Sequence, residues 1–319
     1  MGSKEIAVVF DTNSYRNFVR GMSSDEVLEV IGDLKRVESK KNICPFGITI
    51  VGLEMLANLC EGDLGFNFKD CLNGLIAMSN HCYDEKDNEP RIVSPPYLNL
   101  TRSFFNMVPK NYEDGVKNIA GVIHDFKIDY KKALEHHEKT STFLKIKNYF
   151  DKEELQFSTE IIKLIDSAKT EVRTKYPRID SRQFRIKLLD FFVNGPYEPL
   201  IAIAIIYEIA HSLQIQLQKI ETLDMAKSMH QEFPLSVGFY KWISYKIIEG
   251  NIDMQSKTSK EKRWNWLWDY QVTFLINNHT IDNKDVILVT SDKDIIEMLD
   301  SFGYKNKVLT LTEYLDYIK

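Results

Sequence analysis

Four cysteines in 319 residues, at positions 44, 60, 71 and 82, are too few for a disulfide framework. No two of them form a C-x-x-C pair, which excludes a zinc ribbon and a thioredoxin-type redox motif. The 14 glycines and 9 prolines gather into no tract, which excludes a flexible linker and a fibrous repeat. No internal repeat is visible, so a solenoid is excluded as well. No apolar run reaches the roughly 20 residues that a membrane-spanning helix needs. The strongest run, Leu200 to Ile206, is soon followed by Glu208 and His211 and reads as a helix in a protein core, with His211 a satisfied core histidine. No secretory leader precedes the first strand, and the expectation is a cytoplasmic protein with reduced thiols and no membrane partner. The net charge of −5 lacks the positive excess that marks many nucleic-acid binders.

What remains is an ordinary globular composition, 44% hydrophobic and 27% charged, long enough to enclose a sizeable core. Length alone predicts about two domains. Residues 62–262 carry 28 Lys/Arg against 28 Asp/Glu, so the acidic excess falls at the two chain ends. Clustered carboxylates would produce that bias, and so would an acidic surface.

Glu5 to Phe10 is a short apolar run ending in Asp11-Thr12-Asn13, which reads as a buried strand entering a loop. Asp25 to Val37 has helical spacing, Phe46 to Val51 reads as a second strand, and Glu54 opens a helix beyond it. The end of the chain repeats this logic. A helix covers Trp268 to Ile276, a strand Asp285 to Thr290, a helix Asp294 to Phe302 stopped by Gly303, a strand Lys307 to Leu311 and a helix Thr312 to Ile318. Alternating strands and helices predict an α/β fold with a parallel sheet flanked by helices. The sheet is assembled from both chain ends, residues 1–62 and 263–319. Residues 63–262 form a large, mainly helical insertion.

Asp11 and Asp292 both follow apolar strands, where open parallel sheets bind ligands. Glu54 lies three residues past the second predicted strand and can reach the same rim, and Asp269 lies on a helix that could project it inward. Four gathered carboxylates repel one another unless a cation joins them, and a hard divalent ion accepts an all-oxygen set. Such an ion activates water and neutralises phosphoryl charge, the chemistry of phosphodiester hydrolysis. Any one of these acids alone reads more simply as a surface residue or helix cap; the ordered set carries the case.

The set also carries a resemblance. Val8 to Asn13, with Asp11-Thr12-Asn13, resembles the opening strand of PIN-domain nucleases. Ile48 to Glu54 resembles their second strand and helix-borne Glu, and Asp269 looks like their third acid. Val286 to Asp294 resembles their Thr-x-Asp-x-Asp element, and Val308 to Leu315 their closing strand and helix. The resemblance implies Mg²⁺- or Mn²⁺-dependent cleavage of RNA, with Asp11, Glu54, Asp269 and Asp292 as metal-site acids. It implies Asp294 as an additional acid and Asn13 and Ser291 as residues that orient water or ligands. Toxins and defence effectors acting on structured RNA such as tRNA are common roles in that family. Two departures stand out: Ile295 replaces a frequent Phe, and the stretch between Glu54 and Asp269 is far longer than a minimal PIN domain needs. That stretch could seat a protein partner or inhibitor. The rival readings are a non-cleaving PIN-like scaffold protein and a structure-specific DNA nuclease. A haloacid-dehalogenase phosphatase is weaker, because Asn13 stands where that family's nucleophile motif needs a second aspartate.

Two basic stretches are candidate RNA contacts. Lys169 to Lys187 holds seven Lys/Arg, Arg178 and Arg182 among them, against Glu171 and Asp180, with Tyr176 and Phe184 interleaved. Lys257 to Arg263 includes Lys260 and leads towards Asp269. The plain alternative for both is a solvated helix face. Trp264, Trp266 and Trp268 read as packing residues before base-stacking ones, and adjacent His136 and His137 point apart on a helix and make a poor metal site.

Overall fold

Strand β1, Ile6–Phe10, is the centre of the molecule's sheet, and Ala7, Val8, Val9 and Phe10 are wholly enclosed. A strand buried on both faces reads as an unbroken apolar run, which is why the alternation of a half-exposed strand is missing here. The computed structural model describes residues 5–62, 67–277, 281 and 284–319. Two compact units emerge, residues 1–150 with 278–319 and residues 151–277.

In the first unit β1 is followed by α1 (Thr12–Phe18), α2 (Ser24–Lys40), β2 (Ile43–Ile48), α3 (Thr49–Ala57) and α4 (Phe68–His81). Short strands β3 (Tyr83–Asp84), β4 (Glu89–Pro90) and β5 (Ile92–Val93) come next, then α5 (Pro96–Phe105) and α6 (Lys110–Lys139). Helix α7 (Thr142–Lys175) passes from the first unit into the second, which continues with α8 (Ser181–Asn194), α9 (Tyr197–Ser212), α10 (Lys219–Glu232), α11 (Pro234–Glu249), α12 (Lys257–Lys262) and α13 (Trp266–Thr273). The chain then returns to the first unit with β6 (Asp285–Val289), α14 (Lys293–Ser301), β7 (Val308–Leu309) and α15 (Leu311–Ile318).

The sheet order is β5-β2-β1-β6-β7, and every neighbouring pair is parallel. The expected α/β class and the pairing of the two chain ends are therefore present: Ile6 registers with Asp285 and Phe10 with Val289. Pro45 sits inside β2 without breaking the ladder. Gly47 N–H points to Arg91 on the β5 side, so position 45 faces the same side, below the point where β5 begins, and no partner there needs its missing N–H. Gly303 (φ +80°) ends α14 as the spacing predicts; its N–H bonds Asp300 O and the Tyr304 N–H bonds Leu299 O, the two closures of a Schellman turn.

Several boundaries differ from the sequence reading. Strand β2 ends at Ile48, so Glu54 stands in the body of α3 and not at its start. The insertion expected at 63–262 is divided differently, and residue 63 itself lies outside the described residues. Helix α4 is buried through Leu75, Ile76, Ala77 and Met78 and packs on α1, α2 and α3, while β5 completes the sheet, so this stretch belongs to the first unit. Helix α13, expected in the sheet domain, falls in the second unit. Helix α9 buries Ile201, Ala202, Ile206, Ile209 and Ala210 but leaves Leu200 and Tyr207 exposed. His211 is exposed, not a core histidine, because it lies on the outer side of the last turn of α9. Trp264, Trp266 and Trp268 are all buried, as expected of packing residues, with Trp264 Nε1 bonding Met254 O at 3.0 Å and Trp268 Nε1 bonding Glu154 Oε1 at 2.8 Å. Among the described residues no single helix is long and apolar enough to cross a membrane, although α8 and α9 pass that test together as a pair bent by 66°.

Beneath β1 lies a polar knot. Glu38 of α2 and His81 of α4 are both buried, and His81 Nε2 lies 3.0 and 2.9 Å from the two carboxylate oxygens. Tyr314 Oη of α15 donates to Glu38 Oε1, and Tyr15 Oη of α1 meets His81 Nδ1 at 3.1 Å. A carboxylate only accepts, so Nε2 carries a hydrogen and Nδ1 faces the Tyr15 hydroxyl. The Phe10 ring sits between them, with centroids 5.1, 5.2 and 5.3 Å from Tyr15, His81 and Tyr314. Four helices are thereby fixed to the central strand. Burial, then the Glu38 charge, push the Tyr314 hydroxyl far above its ordinary pKa, so it remains a donor. Removing it leaves a buried carboxylate short of a donor, which costs about 2 kcal/mol. Tyr314→Phe should lower the urea unfolding free energy by that amount without changing the m-value; a loss under about 0.5 kcal/mol would show that the knot is not a stabilising element.

Candidate functional site

The ladders of β6 with β1 and with β7 each continue one step past the strands. Asp11 N–H donates to Val289 O at 3.1 Å, and Thr290 N–H donates to Leu309 O at 3.0 Å. Asp11 and Thr290 therefore stand side by side at the carboxyl rim. The chain leaves β1 towards β2 on one side and leaves β6 towards β7 on the other. Adjacent strands whose connections part in this way leave a crevice, the place where open α/β sheets bind ligands.

Asp11 is 6% exposed. Its Oδ1 accepts the Ser14 N–H at 2.6 Å, capping α1, and its Oδ2 accepts the Thr290 hydroxyl at 2.5 Å. The same Thr290 oxygen accepts the Asp292 N–H at 3.0 Å. Asp292 in turn caps α14, its Oδ1 accepting Asp294 N–H at 2.8 Å and Ile295 N–H at 3.2 Å. One threonine thus links the two acids. On the other side the Thr12 hydroxyl donates to Glu54 Oε2, tying α3 to the residue next to Asp11.

Burial is the largest influence on Asp11 and pushes its carboxyl above the ordinary range; the Asp292 charge adds to the rise, and the bonds from Ser14 and Thr290 oppose it. The arrangement holds two carboxylates of like charge at one rim, which favours a proton or a positive ion there.

Of the residues read from the sequence, Asp11, Glu54 and Asp292 belong to the first unit; Asp11 and Asp292 are linked through Thr290, and Glu54 bonds Thr12, the residue after Asp11. Asp294 follows as an exposed residue in the first turn of α14. Asp269 is half-buried in the first turn of α13, in the second unit. Among the described residues no three His, Cys, Asp or Glu side chains are gathered into a metal-binding group. Asn13 and Ser291 are exposed, while the hydrogen bonds that orient Asp11 come from Ser14 and Thr290. Thr12, Ser14 and Thr290 were the residues missed. Each lies one to three positions from a nominated acid, and a hydroxyl at a strand end was the available signal.

Lys257, Lys260 and Arg263 are in the second unit, at α12. Lys257 faces Glu261 at 3.8 Å, Lys260 lies over the Trp264 ring at 5.4 Å, and Arg263 bonds Ser259 at 3.4 Å. His137 bonds Asp125 at 3.0 Å and stacks near Phe126, a packed histidine. The four cysteines are free.

The fold and rim define a class: an α/β protein with a parallel sheet and an acid pair at its topological switch. Compared with known proteins, the chain matches no family model, no curated protein and no solved structure.

A carboxyl whose folded pKa is raised opposes folding once it ionises. Its favourable state is fully present below the unfolded value, 3.8, and is lost as pH rises through the higher folded value. Asparagine keeps the cap and carries no charge. Asp11→Asn should therefore raise the urea midpoint at neutral pH in EDTA, with the gain vanishing below the unfolded carboxyl pKa. A lower midpoint at neutral pH would contradict the burial cost.

Proposed function

We propose that the chain is a metal-dependent nuclease acting on RNA, with its reaction centre at the rim of β1 and β6. The observation that supports it is the pair Asp11 and Asp292, placed just beyond the ends of adjacent parallel strands and linked through Thr290. The donor set fits a hard divalent ion: all the candidate ligands are carboxylate oxygens, and Mg²⁺ is commonly held by one or two carboxylates with water and substrate phosphate completing the shell. The proton-favouring burial of Asp11 is the same bias that a cation would satisfy. When bound, Mg²⁺ or Mn²⁺ supplies an activated water and neutralises phosphoryl charge.

In this reading Asp11 and Asp292 hold the ion. Ser14 and Thr290 keep the Asp11 oxygens in fixed directions, so the acid does not reorganise as charge develops. Glu54, steadied by Thr12, accepts a proton from water at the same rim. RNA as substrate, and a role as toxin or defence effector, come from the resemblance to PIN-domain nucleases.

The test is incubation of the purified chain with total RNA, and with single-stranded DNA of matched length, in Mg²⁺ or Mn²⁺, followed by end mapping. Asp11→Asn and Asp292→Asn should each lower cleavage by more than about 100-fold, and Thr290→Val by about 10- to 100-fold. Asp269→Asn, made alongside, tests the acid nominated by resemblance alone. Cleavage that persists at wild-type rate in both Asp11→Asn and Asp292→Asn would reject this centre. Cleavage of DNA alone would move the substrate class.

A further inference from the structure

We propose that the corner where α7 meets α8 in the second unit is a docking surface for the phosphodiester backbone of a nucleic acid. Residues 169–187 carry seven Lys/Arg against two acids. Lys169 is paired with Asp166 at 2.8 Å. The other six, Arg173, Lys175, Arg178, Arg182, Arg185 and Lys187, are exposed, and among the described residues no carboxylate ion pair involves them. Asp180, one of the two acids, is engaged as the cap of α8, accepting the Gln183 N–H at 2.9 Å.

Two rings draw the cations of both helices together. The Arg173 guanidinium of α7 lies 4.3 Å from the centroid of Phe184 on α8. Lys187 of α8 and Lys175 of α7 lie 5.3 and 5.7 Å from the centroid of Tyr176, in the turn between the helices. Arg185 donates to the backbone oxygen of Glu249, a bond that fixes its position and leaves its charge uncompensated. Cation–π contacts restrain long side chains that would otherwise lose rotamer entropy on binding. The result is a preorganised array of positive charge, four of the six being arginines, which bind phosphate in a fork. An anionic membrane would also attract such charge. An interfacial helix, however, needs a broad apolar face, and α8 exposes Ile186 and Val193 while Leu188 and Phe192 are buried, a narrow stripe set among exposed polar and basic residues. A linear polyanion fits better.

This proposal does not depend on the hydrolytic reading, because its test runs without metal. Fluorescence anisotropy of a labelled single-stranded RNA is measured with the full chain in EDTA over a salt series. Binding should weaken as salt rises. Arg178→Gln with Arg182→Gln, two side chains free of internal ring contacts, should weaken it about 10-fold and make the log–log salt slope shallower by about 1.4, the share of two phosphates on a single strand. Arg173→Gln should also weaken it, and a circular-dichroism melt confirms that each variant is folded. No binding by the parent chain, or an unchanged affinity and slope in the folded double variant, overturns the proposal. So does binding to phosphatidylserine vesicles that these variants lose while RNA binding is unchanged, which would assign the corner to a membrane surface. Failure of RNA cleavage with intact, variant-sensitive binding would reject the proposed reaction centre and leave this surface standing.

Discussion

The pairing of β1 with β6 is the constraint on which the rest of the first unit depends. It joins residues 279 apart, Asp11 and Thr290, and sets them at one rim. Loop-closure entropy rises only slowly with length, so a second compact unit can stand between the two strands without making the pairing untenable. A one-residue slip would move every side chain of the enclosed strand to the opposite face, where its neighbours are shaped for other residues. Such a slip would also separate Thr290 from Asp11 and so undo the link to Asp292.

The hydrogen bonds at the rim serve two ends at once. Asp11 and Asp292 satisfy orphan N–H groups of α1 and α14, an ordinary capping role. An exposed cap gains from its charge, whereas Asp11 is buried beside a second carboxylate and its charged form is disfavoured. The knot of Glu38, His81, Tyr15 and Tyr314 supports the rim from below, since Tyr15 lies in α1 and its N–H bonds Asp11 O at 3.2 Å.

The second unit distributes its charge differently. Its basic side chains do not dominate by number; the corner at α7 and α8 concentrates them because Tyr176 and Phe184 hold cations from two helices over their faces. Composition averages over this, and a net charge of −5 conceals it.

Local order was legible in the residues themselves. The enclosed run before Asp11 announced β1, the run before Asp292 announced β6, and Gly303 marked the end of α14, because burial on both faces and positive φ each select residue types within a few positions. The convergence of Asp11 with Asp292 followed from strand ends and parallel order. Tertiary structure alone decided the rest. Glu38 and His81 lie 43 residues apart in helices, and nothing in their local spacing shows that they share a buried bond. Thr290 became the bridge, not Asn13 or Ser291, because its hydroxyl points inward between the two strand ends while Asn13 and Ser291 are exposed. Strand β5 has two residues, too few for a periodic signal, and takes its place from the exposed edge of β2. The placement of Asp269 in the second unit was likewise settled by packing, since a carboxylate in a helix's first turn looks the same in sequence wherever that helix docks.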